Sequence, residues 1–272
     1  MATPRQPDLF AARGTPAPLP AAPPAAIPPD RPPFDPAALA DADLIAALPG
    51  ARQNDAAPLA REAARRALPE AIPALEALCR RFAGFGLNHD IAEQTAALEA
   101  LSVLGAKDAV TRLIVAHAIC GPGRRHAFRA AAALGCQLPM DLVAGALRDN
   151  DPAIRAAACP CARAHPAVFA TLIDLLTDLH PAAAQSAALS LGLLGRREGV
   201  AILLRLLAEA PSSAVVESLL PIACEDEWVR LSQAALRHPD LAPPILAALD
   251  DLASPRAAKI AASLRHRLGL RD

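Results

Sequence analysis

Leu147-Arg148-Asp149-Asn150-Asp151-Pro152-Ala153-Ile154-Arg155-Ala156-Ala157-Ala158 is the stretch on which the reading of this chain turns. Asp151 is placed to accept a hydrogen bond from the open amides of a first helical turn. Pro152 has no amide to lose, and its φ is already helical. Ile154, Ala157 and Ala158 then recur at the spacing of one helical face. Arg155 falls on the opposite side of that helix, within a turn of Asp151. A second helix is predicted over residues 167–179, with Leu172, Leu175, Leu176 and Leu179 on one face. Two short helices of this kind cannot bury their apolar faces without neighbours.

The neighbours are written in the same chain. Pro58, Pro122, Pro152, Pro181, Pro211 and Pro239 each stand before a run of alanine and leucine, and Asp90 fills the corresponding place between the first two. Counting Asp90, these marks follow one another by 32, 32, 30, 29, 30 and 28 residues. Residues 181–210 repeat the pattern with Ala187-Ala188-Leu189, Leu193-Leu194-Gly195, then Val200, Leu203, Leu204 and Leu207. Residues 90–119 do so with Ala96-Ala97-Leu98, Val103-Leu104-Gly105, then Ala109, Leu113 and Ile114. A period of this size in helical pairs predicts an all-α stacked array.

The order of residues at 147–158 (leucine, acidic turn, Asp-Pro, branched apolar residue, Arg, small residues) resembles the HEAT-repeat family in its short bacterial form. The resemblance covers roughly residues 55–268. It implies a right-handed α-solenoid of about seven HEAT-like helical hairpins occupying residues 36–272. In that family Asp and Arg at the turns often form ladders between neighbouring repeats. Here only Asp151 and Arg155 match fully, which argues against an unbroken ladder.

Composition agrees with packed helices. The chain is 53% hydrophobic, enough for a core, but only 3% aromatic, so that core must be built from alanine and leucine. Formal charge is −1, without the basic excess of a protein that grips a phosphate backbone along its length, so nucleic acid is not favoured as a partner. Every apolar run is cut by charge, Gly or Pro, so no membrane span is expected, and no secretory signal is visible. A cytoplasmic location follows as the default. The six cysteines, Cys79, Cys120, Cys136, Cys159, Cys161 and Cys224, then read as small buried helix residues.

Residues 1–35 read as a separate unit, a disordered Pro/Ala-rich tail and linker, because repeated X-Pro steps favour extended backbone. Order is expected to begin at Asp35-Pro36, with a capping helix over residues 37–48 carrying Leu39, Leu44, Ile45 and Leu48. Within the tail, Gln6-Pro7-Asp8-Leu9-Phe10 resembles the short peptide by which bacterial replication and repair proteins dock on the DNA sliding clamp. Gln6, Asp8, Leu9 and Phe10 are the residues carried over. Leu9 and Phe10 would fill a pocket, Gln6 would supply amide hydrogen bonds and Asp8 would tune polarity. A five-residue match also arises by chance.

Four further constellations stand out. Cys159-Pro160-Cys161 with His165 offers soft metal ligands, but no second Cys/His pair lies nearby, so structural use is favoured. Arg61, Arg65 and Arg66, Arg80 and Arg81, and Arg124, Arg125 and Arg129 could align as a basic stripe. The acidic Glu225-Asp226-Glu227 and Asp250-Asp251 would make the C-terminal half negative. Trp228 reads as a packing residue. Phe82, Phe85, His89 and Phe128 could line a pocket, although core packing is the simpler reading.

No phosphate loop, paired metal-binding helix or nucleophile elbow appears, so no catalytic residue, metal or cofactor is expected. The sequence predicts a non-enzymatic scaffold or adaptor that holds a protein or peptide in its groove and docks on the sliding clamp through its N-terminal peptide. Two resemblances compete. One is to the HEAT-like alkylpurine glycosylases, favoured by the N-terminal arginines. The other is to the phycobilin lyases, which share the repeat period.

Overall fold

Proline stands in the first turn of many of the elements, and glycine ends several of them. The computed structural model describes residues 34–252 and 254–270, which carry fifteen α-helices and no strand among the described residues. The first five are α1 (Asp41–Ala47), α2 (Gln53–Arg65), α3 (Ile72–Arg81), α4 (Ala92–Val103) and α5 (Lys107–Val115). The middle five are α6 (Arg124–Ala133), α7 (Met140–Leu147), α8 (Pro152–Ala158), α9 (Phe169–Asp174) and α10 (Pro181–Leu193). The last five are α11 (Val200–Glu209), α12 (Ser213–Leu219), α13 (Glu225–Arg237), α14 (Ala242–Asp251) and α15 (Pro255–Leu268). Beyond α1 they follow one another as consecutive pairs along the chain, and alternate helices pack on one another. The even-numbered helices contact one another in order from α2 to α14, while α3 meets α5, α7 meets α9, and α11, α13 and α15 follow on.

Most of the proline marks stand where the sequence places them. Pro152 and Pro181 are the first residues of α8 and α10, and Pro122 and Pro239 lie in the 3-10 turns that lead into α6 and α14. The Asp151 carboxylate accepts from the Ala153 amide at 2.8 Å. Pro58 differs: α2 already begins at Gln53, so this proline is an interior residue, costing that helix one backbone hydrogen bond.

The first helix of a pair often ends in one motif. Gly105, Gly135 and Gly195 adopt left-handed φ of 70, 62 and 73°. The next amide then reaches back six residues in count, Ala106 to Leu101, Cys136 to Ala131 and Arg196 to Leu191, at 2.8–3.0 Å. This is a Schellman-type ending. After α2 the same bond runs from Leu68 to Ala63 at 3.1 Å, but the left-handed residue is Ala67, at φ 52°.

Alanine and leucine fill the interior. α10 is apolar on nearly all sides and buries Ala183, Ala184, Ala187, Ala188 and Leu191, as a helix with neighbours on several faces should. Its Gly192 lies so close to the Ser218 carbonyl of α12 that a Cβ there has no room. Trp228 is buried in the core cluster that also holds Leu203, Leu207, Val216 and Leu231, the packing role expected of it. Most buried polar side chains find partners among the described residues. Gln94 donates to the carbonyls of Cys79 and Ala118 at 3.0 and 3.1 Å, and Ser186 of α10 donates to the Ala156 carbonyl of α8 at 2.7 Å.

Two predicted helices are broken, for the same reason. Instead of one helix over 37–48, a 3-10 turn at Pro36–Ala38 is separated from α1 by extended backbone at Leu39 and Ala40. Arg66 makes the break possible by donating to the carbonyls of Pro36, Ala37 and Leu39 and to the Asp41 carboxylate. The segment 167–179 is likewise divided into a 3-10 turn, α9 and a second 3-10 turn at Leu175–Thr177. There Asp178 turns out in extended backbone to meet Arg155 at 2.8 Å. Leu172 and Leu175 are buried as expected, but Leu179 is carried off the face and fully exposed.

Candidate functional site

α13 and α15 form the floor and walls of a groove of about 290 Å³. α13 is fixed at its start by a capping box, in which the Glu227 carboxylate accepts from the Cys224 amide at 2.8 Å. From there Val229, Ser232, Gln233 and Leu236 follow at i, i+3, i+4 and i+7, one stripe of the helix facing the groove. α15 starts at Pro255 and ends at Gly269 in the left-handed conformation. It contributes Ile260 and Leu264 to the floor, with Ser263 between them.

The rim is basic. Arg256, Lys259 and Arg267 line the groove from α15, a helix without a single acidic residue. Arg256 pairs with Glu225 of α13. Lys259 and Arg267 have no ion pair among the described residues. Val229 stays 42% exposed at the mouth, while Leu264 is buried at the base. The result is an apolar trough with donors along one edge and two positive charges without an ion pair among the described residues.

The expectation of an acidic C-terminal half therefore does not describe this face. Two of the acidic triplet, Glu225 and Glu227, are paired with arginines of neighbouring elements. Glu227 accepts from Arg197 at 2.8 Å as well as from the Cys224 amide. Burial alone would raise its pKa, but those donors outweigh it and hold the carboxyl below its ordinary range.

The N-terminal arginines are also largely committed. Arg65 and Arg66 share Glu62, and their hydrogen bonds pull that carboxyl down to about 2. Arg80 pairs with Glu76, Arg124 with Asp149, and Arg125 with Asp90. Arg81 donates to the Pro49 carbonyl and covers the Phe82 ring. Arg61 and Arg129 are exposed without an ion pair among the described residues. Arg66, Arg81, Arg124 and Arg125 thus join separate elements, whereas Arg65 and Arg80 pair within their own helices.

Cys159, Cys161 and His165 do not converge. The Cys159 thiol donates to the Arg155 carbonyl, the Cys161 thiol to the Phe128 carbonyl, and the His165 Nε2 lies 2.8 Å from the Leu138 carbonyl. Burial pushes both thiols up to about 12, which removes their nucleophilicity at neutral pH. No cluster of His, Cys, Asp or Glu suited to a metal ion occurs among the described residues. Phe82, Phe85 and His89 do line a common pocket, whereas Phe128 is buried in the core. Gln6, Asp8, Leu9 and Phe10 lie outside the described residues.

No family model matches this chain, and no curated protein matches it. No described helix is long and apolar enough to cross a membrane. Sequence reasoning does not single out this groove, because it is formed only when α13 and α15 pack together. The signal was present, since Arg256, Lys259, Ile260, Ser263, Leu264 and Arg267 keep strict helical spacing.

Proposed function

We propose that this chain is a non-enzymatic protein-binding scaffold, a right-handed α-solenoid of seven HEAT-like hairpins that holds an acidic amphipathic segment of a partner protein between α13 and α15. The observation that carries the reading is the apolar trough edged by Lys259 and Arg267, two cations without carboxylate partners among the described residues. Apolar residues of the segment would cover Val229, Leu236 and Ile260, each worth about 1.5–3 kcal/mol if fully buried, before the cost of ordering the segment. Its carboxylates would meet Lys259 and Arg267, which set orientation and association rate more than affinity. The order in which alternate helices pack supports the stacked architecture. The peptide Gln6–Phe10 supplies a second attachment, to the sliding clamp, so that the scaffold joins two partners at an effective concentration fixed by the linker.

The test uses a fluorescent helical peptide with leucine at i, i+3, i+4 and i+7 flanked by glutamates, and its counterpart with lysines in their place. The full-length chain should bind the glutamate peptide alone, and Lys259→Glu/Arg267→Glu should weaken it by about tenfold or more. The reversed protein should gain the lysine peptide. Equal binding of both peptides by the native chain, or displacement of the glutamate peptide by a short DNA duplex, would overturn the reading.

A further inference from the structure

A second concave site lies at the other end of the described chain. The loop of residues 82–91, which joins α3 to α4, walls a pocket of about 410 Å³ with Asn54 of α2 behind it. The loop is held in shape from outside. Gly84 and Gly86 take left-handed φ of 83 and 75°, and Gly121, before α6, lies so close to the carbonyls of Gly86 and Leu87 that no side chain fits there. The pocket is therefore built into the fold.

Its chemistry is aromatic and anionic. Phe82 and Phe85 contribute rings, and Phe85 is 64% exposed although it is a large apolar side chain. Asp90 is already neutralised by Arg125, with the His126 Nε2 3.7 Å away. Glu93 is not. It lies in the pocket wall at only 3% exposure and makes no hydrogen bond or ion pair with any described residue. Glu93 lines that pocket together with Phe82, Phe85 and Asp90. It stands in the first turn of α4, where the helix dipole favours negative charge. The nearest arginine in sequence, Arg81, is committed to the Pro49 carbonyl and to the Phe82 ring, 4.7 Å from its centre.

We infer that this pocket binds an organic cation, an ammonium or guanidinium group, between the Glu93 carboxylate and the Phe85 ring. A carboxylate with little water around it has the most to gain from a charged donor. An aromatic face beside it selects a cation over a neutral hydrogen-bond donor. The shared chemistry fits a small amine or a lysine or arginine side chain of a partner, and the site is independent of the α13–α15 groove.

The experiment follows amide chemical shifts of the full-length chain during titration with butylammonium, butylguanidinium, neutral butanol and a lysine-containing hexapeptide. The cations should saturate and perturb Gly86 and Glu93, while butanol should not. Glu93→Gln should weaken the cation by about tenfold or more without lowering the thermal midpoint, since it removes an unpaired buried charge. Phe85→Ala, at an exposed position, should weaken it in a chain whose core is untouched. Butylammonium binding as well as the hexapeptide identifies a small amine as ligand, and binding of the hexapeptide alone identifies a partner side chain. Butanol matching the cations, no saturable cation binding, or unchanged affinity in Glu93→Gln with a lowered midpoint would overturn the inference and leave Glu93 a purely structural residue.

Discussion

At the scale of single residues, the clearest departure from local preference is Ala67. It occupies the position that Gly105, Gly135 and Gly195 occupy in other pairs, with the same reach-back hydrogen bond, yet it carries a Cβ at φ 52°. A left-handed L-residue costs roughly 1–2 kcal/mol, and glycine returns part of that through its larger unfolded-state entropy. Ala67→Gly should therefore stabilise the chain by about 0.5–1 kcal/mol, seen as a higher denaturation midpoint with unchanged slope. A neutral or destabilising result would mean that the Ala67 methyl makes contacts worth more than the strain. The repeating Leu-Gly was legible in the sequence, but not its absence after α2, because Arg66-Ala67-Leu68 carries no turn signal.

At the scale of elements, glycine in a helix means two different things here. Gly192 of α10 is required by the closeness of α12, where the Ser218 carbonyl occupies the space of its missing Cβ. Gly145 of α7 is exposed and meets nothing within 4 Å. Gly192→Ala should cost about 1–3 kcal/mol by overpacking, and Gly145→Ala should gain about 0.5–1 kcal/mol from helix propensity. Opposite signs in parallel denaturation curves check the packing directly, and equal effects would refute the α10–α12 contact. Nothing in Ser190-Leu191-Gly192 distinguishes this glycine from Gly145 in sequence. The starts of elements were legible because capping is local, as at Asp151 and Pro152. The interruptions at 39–40 and 175–178 were not, since distant Arg66 and Arg155 supply the partners that replace helical bonds.

At the scale of the whole described unit, an Arg–carboxylate bridge spans each successive junction, although the positions that supply it vary. Asp41–Arg66 joins α1 to α2, Glu76–Arg112 joins α3 to α5, and Asp90–Arg125 joins the start of α4 to α6. Arg124–Asp149 and Arg155–Asp178 lead from α6 and α8 to the turns that start the next pairs. Arg197–Glu227 and Arg256–Glu225 complete the series. Asp151 caps its own helix, and Arg155 goes instead to Asp178 in the turn before the next pair. Linkage across every junction was illegible, since it depends on which turns fold back. Individually such pairs are weak, about 0–1 kcal/mol where exposed. Collectively they give the molecule a pH dependence with a definite sign. The hydrogen bonds from Arg112 and Arg155 hold Glu76 and Asp178 below their ordinary pKa, and Glu62 falls to about 2. A carboxyl depressed in the folded state binds its proton first in the unfolded chain. Its contribution is complete above the unfolded pKa of about 4 and is lost as pH falls through the folded value. The thermal midpoint should thus be level on this account from pH 7 to about 5, and fall steeply between about 4 and 2. Asp178→Asn should remove part of that fall, because Asn keeps the size but not the titration. A midpoint indifferent to pH down to 3 would show that apolar contacts between alternate helices alone hold the junctions together.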